Sequence, residues 1–207
     1  MTITYIGKNR FQCLDLMLGI DQLMGNDVAD FIYSDPPWGP AAIKNFATLN
    51  TKNTGQTSTD TSLSNFLDNF FGVCNKFAKN KIVIEYGIKW RNDIIFYGTK
   101  HGFIHAGVTG SFYRSGLEKT SSDVHVFTKD GTGLITNEFA IKCSQLNGVK
   151  LVSMVFDEHC PKDAQIILDP CCGMGYTAQV CVDRNLIFIG NELNSKRLQK
   201  TIDRFPV

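Results

Sequence analysis

Two short stretches of the sequence combine residue types that could do chemistry. The first is SDPPW, residues 34–38, in which a carboxylate, two prolines and an indole follow the apolar run FIY. Proline fixes its own φ and pushes the preceding residue toward extended geometry, so we expect Asp35 to begin a stiff, open turn. Such a turn either ends a strand or presents main-chain carbonyls, a carboxylate and a ring to a ligand.

The second stretch, ILDPCCGMGYTA at 167–178, predicts a strand, a tight glycine turn and the start of a helix. Gly173 and Gly175 would let the backbone approach a ligand closely. The strand LIFIG then delivers Glu192, and an acid at the tip of that strand can accept hydrogen bonds from both hydroxyls of a ribose. Together these features predict a nucleoside-containing cofactor at the carboxyl ends of the strands. The alternative is a purely structural turn with an exposed acid.

The identity of the cofactor is open at this point, because GMGYTA also fits the dinucleotide pattern G-x-G-x-x-A. NAD is therefore a rival. The carboxylate of Asp169, however, suits a cationic or ammonium-bearing ligand better than a pyrophosphate. An NAD-dependent enzyme is accordingly kept as an alternative.

Length and composition limit the class of protein. The 207 residues predict one domain with a sizeable core, since 43% of them are apolar. No stretch approaches the roughly 20 apolar residues of a membrane span, and MTITYIGKNR shows no signal peptide. Seven cysteines in no framework spacing indicate free thiols, so we expect a cytoplasmic protein with no membrane partner. The net charge of +1 gives no global footprint for nucleic acid.

Strand and helix patterns alternate around the two stretches. Residues 44–64 are rich in Thr, Asn and Ser and predict a mobile loop. The other predicted elements are strands at 2–7, 28–33, 81–87, 165–170 and 186–192, and helices at 11–24, 63–77, 137–158, 176–184 and 195–205. Their β-α-β order at both ends predicts a mainly parallel α/β sheet, cut and rejoined so that TITYIG lies beside the strand that carries Glu192.

These residues resemble the amino-methyltransferases that use S-adenosylmethionine and act on exocyclic amines of bases. SDPPW resembles the family's D-P-P-[YFW] catalytic motif, LDPCCGMG its D-x-F-x-G-x-G cofactor loop, and Glu192 its ribose-binding acid. TYIGKNRFQCLDLM resembles the segment before the catalytic strand. The resemblance implies a single domain over 1–207 with a doubly wound, mostly parallel sheet and flanking helices, the Rossmann-like class I methyltransferase fold in circularly permuted motif order.

The resemblance also implies roles for individual residues. The Asp35 carboxylate and the Pro36 carbonyl would each accept one N–H of the amine, beside Pro37, and Trp38 would stack on a base that has left the duplex. Asp169 would lie near the ammonium of the cofactor. The cofactor-binding residues implied are Asp169, Pro170, Cys171, Gly173, Gly175, Thr177 and Glu192.

Three features depart from the family pattern. Cys171 and Cys172 stand where the family often has Phe and a variable residue. An acid common after the first glycine is missing, and we expect the amide of Asn9 to contact adenine instead. Residues 90–135 are short for a target-recognition domain, so we expect a small target-recognition insertion there.

Other candidate residues carry weaker signals. Tyr113 and Arg114 in GSFYRSG would contact nucleic acid by stacking and by phosphate or base contacts, or would form a turn with a solvated arginine. Cys171 after Pro170 could suggest the nucleophile of a cytosine-C5 enzyme, but it belongs to the glycine turn. No cysteine or histidine spacing fits zinc, so no metal is expected. Lys196, Arg197 and Lys200 on the last helix predict a solvated face.

The first functional hypothesis is an S-adenosylmethionine-dependent DNA adenine-N6 methyltransferase. The adenine preference comes from the family, in which Asp before Pro-Pro leans toward adenine. Cytosine-N4, RNA adenine and protein glutamine activities stay open, as does a role in a phage or mobile element that protects or marks DNA. The second hypothesis is a cofactor-binding, non-catalytic subunit that needs a partner chain for target recognition. A homodimer stays open as well.

Overall fold

The computed structural model describes residues 2–54, 60–115 and 117–206. Within these ranges eight strands form one sheet. The strands are β1 (Ile3–Ile6), β2 (Asn9–Cys13), β3 (Ala29–Ser34), β4 (Ala78–Gly87), β5 (Ile104–Ser115), β6 (Glu118–Thr128), β7 (Ile166–Asp169) and β8 (Ile187–Glu192).

The sheet runs in the order β1-β2-β8-β7-β3-β4-β6-β5. The five central strands, from β2 to β4 in this order, are parallel to one another. At the two edges, β1 pairs antiparallel with β2, β6 with β4, and β5 with β6. All five parallel strands therefore point their carboxyl ends to the same edge, the usual place for a ligand in an open α/β sheet.

Helices cover both faces of the sheet. They are α1 (Asp21–Met24), α2 (Gly39–Thr54), α3 (Leu63–Phe77), α4 (Arg91–Lys100), α5 (Asn137–Cys143), α6 (Gly148–His159), α7 (Tyr176–Asp183) and α8 (Ser195–Ile202), with short 3-10 turns at Leu16–Leu18 and Ile88–Trp90. Successive strand residues serve opposite faces: Ile32 packs in the cluster that includes α3, and Phe31 and Tyr33 pack in the cluster that includes α6 and α7. Such a sheet is buried on both sides, as parallel sheets require.

The N-terminal part of the chain corrects one prediction. Residues 11–24 do not form one helix, because Asn9–Cys13 is a strand that pairs in parallel with β8, Cys13 opposite Glu192. The strand at 2–7 pairs only with β2, after a turn at Gly7, whose φ is +57°. The neighbour of β8 is thus NRFQC and not TITYIG.

The predicted loop at 44–64 is also wrong in its first part. Helix α2 continues to Thr54 and buries one face through Ile43, Ala47 and Asn50, whose spacing is helical. Residues 55–59 lie outside the described residues. The predicted helix at 137–158 is divided into α5 and α6.

Residues 90–135 form part of the sheet itself. They contribute α4 and the antiparallel pair β5 and β6, and β6 extends the sheet from β4. Residues 112–114 of β5 and Thr120 of β6 line the site described below. No helix in the described ranges is long and apolar enough to cross a membrane.

Candidate active site

Four carboxylates stand in a row at the carboxyl edge of the sheet. Glu192 ends β8, Asp169 ends β7, Asp35 follows β3 directly, and Glu85 lies near the end of β4. These strands are consecutive in the sheet, and all four side chains line one cavity of about 620 Å³. The two sequence stretches are joined directly, since Ser34 Oγ donates to Asp169 Oδ1 at 2.8 Å across 135 positions of chain.

The β7–β8 end of the cavity is built on two buried carboxylates. Glu192 Oε2 accepts from the backbone N–H of Gly173 at 2.9 Å, and Oε1 accepts from that of Asn194 at 2.9 Å. Asp169 accepts from Thr177 Oγ1 at 2.7 Å and from the N–H of Cys171 at 3.2 Å. Burial raises the pKa of Glu192, and it raises the pKa of Asp169 to about 6, because the charged form loses hydration.

The glycine turn needs both of its glycines, for different reasons. Gly173 has a φ of +50° and lines the cavity. Gly175 has a φ of +76° and packs on α8, where an added Cβ would lie 2.8 Å from Thr201 Oγ1. Thr201 Oγ1 also donates to the carbonyl of Gly173 at 3.1 Å. Helix α8 therefore fixes the turn from behind, and Gly175 supports the cavity without lining it.

The lining suits a ligand with a ribose and a cationic end. Among the described residues neither Asp169 nor Glu192 has an ion-pair partner, and the buried Oδ1 of Asn191 has no hydrogen-bond partner. Apolar side chains of Leu16 and Phe46 line the same region. A pair of carboxylates beside apolar walls fits S-adenosylmethionine, whose sulfonium and ammonium are cationic, better than the phosphates of NAD.

The SDPPW turn is held from β4 and the residues after it. Tyr86 accepts from the N–H of Gly39 at 3.2 Å and donates to the carbonyl of Pro37 at 3.1 Å. Gly39 has a φ of +74°, and an added Cβ there would lie 2.1 Å from Trp90 Cζ2. Trp38 Nε1 donates to Asp35 Oδ1 at 2.7 Å. The turn is therefore fixed by hydrogen bonds and packing, and its Asp35 lines the cavity.

The environment of Asp35 favours its neutral form. The carboxylate is open to solvent in the cavity, yet protein surrounds it on most sides. This confinement raises the pKa of Asp35 well above its usual value, and the nearby charges of Glu85 and Asp169 raise it further. The hydrogen bond from Trp38 opposes part of this effect. A carboxylate with such neighbours is a candidate for proton transfer.

The end of β5 and the start of β6 form the cavity mouth on the β4 side. The rings of Trp38 and Tyr113 meet edge to face with centroids 6.1 Å apart. Arg114 and Thr120 line the cavity beside them, and Tyr113 is exposed. The aromatic and cationic side chains predicted to contact nucleic acid thus lie at the entrance next to Asp35.

The structure brings together all but two of the predicted site residues. The cavity is lined by Asp35, Pro36, Pro37, Trp38, Tyr113, Arg114, Asp169, Pro170, Cys171, Gly173, Thr177 and Glu192. Gly175 lies behind the turn, as described. The prediction that Asn9 contacts adenine is wrong, because Asn9 begins β2, at the end of the strand away from the cavity. Its Oδ1 accepts from the N–H of Phe188 at 2.8 Å, and its Nδ2 donates to the carbonyl of Ile6.

Several residues that line the cavity were not predicted from the sequence. Glu85 and Tyr33 lie inside buried strands, and Phe46 lies in the segment predicted as a loop. Arg197 was predicted on a solvated face, but it lines the cavity, and its Cζ lies 4.5 Å from the centroid of the Phe46 ring. Lys196 and Lys200 are exposed as expected. Of these, only the acid within KIVIEYG was visible as an anomaly, since a charge in a buried strand needs a reason.

Burial raises the pKa of the Cys171 and Cys172 thiols well above the usual value, so both are neutral. All seven cysteines are free. No group of three or more metal-ligating side chains that could hold a metal ion occurs in residues 2–54, 60–115 and 117–206.

No family model and no curated protein matches the chain. Solved structures do share its fold. They include the M1.HpyAVI–SAM complex (TM-score 0.66, 16% identity, 95% of this chain and 98% of that chain). They also include PvuII DNA methyltransferase, cytosine-N4-specific (0.63, 13%, 96% and 86%), and TTHA0409 from Thermus thermophilus complexed with S-adenosyl-L-methionine (0.59, 15%, 95% and 92%). The fold of the chain is thus the Rossmann-like class I methyltransferase fold, which confirms the predicted fold class.

Proposed function

We propose that the chain is an S-adenosylmethionine-dependent DNA methyltransferase that modifies the exocyclic amine of adenine. One observation carries the proposal: the Asp-Pro-Pro-Trp turn and the glycine turn face a single cavity on adjacent strands, joined by the Ser34–Asp169 hydrogen bond. A turn that presents an amine acceptor is useful only beside a group donor. The similarity in fold to the M1.HpyAVI–SAM complex supports this reading.

Three residues at the β7–β8 end of the cavity, together with Phe46 of α2, would hold the cofactor. Glu192 would accept hydrogen bonds from the ribose hydroxyls, and Asp169 would attract the ammonium of the methionine part. Gly173 lets the backbone come close, and Phe46 supplies an apolar surface for the adenine ring. When bound, S-adenosylmethionine supplies an electrophilic methyl group on a positively charged sulfur.

The SDPPW turn would position the amine. The amine nitrogen of a base is a weak nucleophile because its lone pair is delocalised into the ring. Asp35 Oδ2 and the carbonyl of Pro36 can each accept one N–H, which draws the nitrogen toward tetrahedral geometry. The Pro37 carbonyl is already taken by Tyr86, so Pro36 is the one assigned to the amine. Trp38 would stack on the flipped base at the mouth.

Cytosine-N4 methylation is the second candidate. It is favoured by the similarity in fold to PvuII DNA methyltransferase, whose description is cytosine-N4-specific. Adenine and cytosine both present an exocyclic amine beside an unprotonated ring nitrogen. Both therefore match a turn that offers two acceptors to an amine.

The experiment is to incubate the purified chain with methyl-labelled S-adenosylmethionine and unmethylated DNA, digest to nucleosides and identify the labelled base. N6-methyladenine that disappears with Asp35→Ala supports the proposal. N4-methylcytosine would select the second candidate. An RNA substrate tested in parallel decides the polymer. Tight binding of S-adenosylmethionine without methyl transfer, together with transfer that appears when a partner chain is added, would overturn the proposal in favour of a non-catalytic subunit.

A further inference from the structure

Glu85 is the one carboxylate of the row that the proposed function leaves without a role. It is 7% exposed and lines the cavity beside Asp35 and Tyr33. Strands β3 and β4 pair in parallel with Ser34 opposite Ile84, so Asp35 and Glu85 follow at the same level on neighbouring strands, about 5 Å apart in the sheet.

Three hydroxyl groups fix the Glu85 carboxylate. Ser122 Oγ donates to Oε1 at 2.9 Å and Ser111 Oγ at 3.2 Å, while the Tyr33 hydroxyl donates to Oε2 at 3.3 Å. Ser111 Oγ also lies 2.7 Å from Ser122 Oγ, so the single proton of Ser111 is shared between Glu85 and that neighbouring oxygen. Burial raises the pKa of Glu85, and the hydrogen bonds that Ser122, Ser111 and Tyr33 donate to its carboxylate oppose this by favouring the ionised form.

No cation neutralises the two acids at close range. Within the described part of the chain neither Asp35 nor Glu85 forms an ion pair. The titratable and charged groups that face the two acids include Tyr33 of β3, Tyr86 of β4, Tyr113 and Arg114 of β5, Cys143 of α5, Asp169 of β7 and Arg197 of α8. The charge of Arg197 lowers the pKa of Asp35 by less than the charge of Glu85 raises it. Two like charges this close cannot both ionise freely.

We propose that Glu85 is a positioning residue: its charge, fixed beside Asp35 by three hydroxyl groups, sets the protonation of Asp35 and makes it the acceptor of the proton that the amine releases. The second part of this inference rests on the proposed function. The amine nitrogen forms a bond to the methyl carbon, the carbon–sulfur bond breaks with its electrons going to sulfur, and the positive charge passes to nitrogen. One N–H proton then moves to Asp35 Oδ2. A stronger base accepts it more readily.

The test uses the free protein and needs no activity. Trp38 Nε1 donates to Asp35 Oδ1, and the chain has only two tryptophans, so its indole N–H signal in ¹H–¹⁵N spectra reports the titration of Asp35. The signal is assigned with Trp38→Phe. Glu85→Gln is nearly isosteric and keeps one acceptor, and Glu158→Gln, which removes an exposed acid outside the cavity, is the matched control.

We expect the midpoint of the Trp38 signal to move to lower pH in Glu85→Gln and to stay unchanged in Glu158→Gln. A midpoint in Glu85→Gln that coincides with that of the wild type would overturn the inference. If Glu85→Gln does not fold, the wild type keeps the inference falsifiable, because a midpoint at the ordinary aspartate value of about 3.9 or below would overturn it.

The pH profile of methyl transfer gives a second readout. In Glu85→Gln the acid limb of kcat should move in the same direction as the Trp38 signal, and kcat on the alkaline plateau should fall while KM for S-adenosylmethionine stays unchanged. A purely structural role would lower activity at every pH without moving the limb. A moved Trp38 signal in a protein that methylates nothing would leave the coupling of the two acids standing and overturn the proposed function alone. Methylation with an unmoved signal would overturn this inference alone.

Discussion

Replacement of Asp169 by asparagine is expected to stabilise the free protein at neutral pH and to remove cofactor binding. The carboxylate is 3% exposed, and among the residues that the structure describes its partners are hydrogen-bond donors and not cations. Asparagine keeps an acceptor for Ser34 and for the N–H of Cys171, and the Thr177 hydroxyl can rotate to accept from the new amide. The substitution therefore removes a costly buried charge at nearly constant shape.

The size of the effect follows from the pKa of Asp169. It is about 6 in the fold and 3.8 as an ordinary aspartate, and this gap of about two pH units corresponds to about 3 kcal/mol. Below pH 4 the carboxyl is protonated in both folded and unfolded states and contributes nothing. Between pH 4 and 6 the unfolded chain ionises first, so the fold loses stability, and above pH 6 the loss is complete.

Denaturant unfolding at pH 4.5 and pH 8 measures this difference, and calorimetry with S-adenosylmethionine measures binding. Asp169→Asn should exceed the wild type in unfolding free energy by roughly 1–3 kcal/mol at pH 8 and by much less at pH 4.5. Asp183→Asn, at an exposed position of α7, should change neither quantity. A variant that is no more stable than the wild type at pH 8, or that binds the cofactor normally, would refute the reasoning.

Two further substitutions test how the two turns are held. Tyr86→Phe removes the hydroxyl that bridges Pro37 and Gly39, so it should cost about 2 kcal/mol of unfolding free energy and slow methyl transfer with unchanged cofactor affinity. Tyr5→Phe, at an exposed tyrosine, is its control, and equal stability of the two variants would contradict the bridge. Gly175→Ala places a Cβ 2.8 Å from Thr201 Oγ1 at a φ of +76° and should cost about 1–3 kcal/mol. Gly110→Ala, where a Cβ meets open space, should lower the melting temperature far less, and similar losses for both would count against tight packing on α8.

The parallel centre of the fold and both turns could be predicted because their signals are local. A strand that ends in Asp-Pro carries its own stop, and α3 shows its buried face at helical spacing through Phe66, Phe70 and Phe77. The class of fold followed from the β-α-β order alone.

The elements that were missed depend on partners far away in the chain. NRFQC is a strand because it pairs with β8, whereas FQCLDLM by itself satisfies a helical pattern. Glu85 is visible in KIVIEYG, but its position beside Asp35 follows from the pairing of β3 with β4. Asn9 was assigned to the cavity as the substitute for an acid of the family pattern, and the turn at Gly7 and the short strand after it, which place Asn9 elsewhere, were not recognised.

Two distant stretches of chain form one site with divided tasks, and one comparison tests this division directly. Equilibrium binding of S-adenosylmethionine and single-turnover methyl transfer to DNA are measured side by side for Glu192→Ala and Asp35→Ala. We expect Glu192→Ala to lose cofactor binding, whereas Asp35→Ala should bind the cofactor like the wild type and transfer no methyl group. Methyl transfer by Asp35→Ala at the wild-type rate would contradict it.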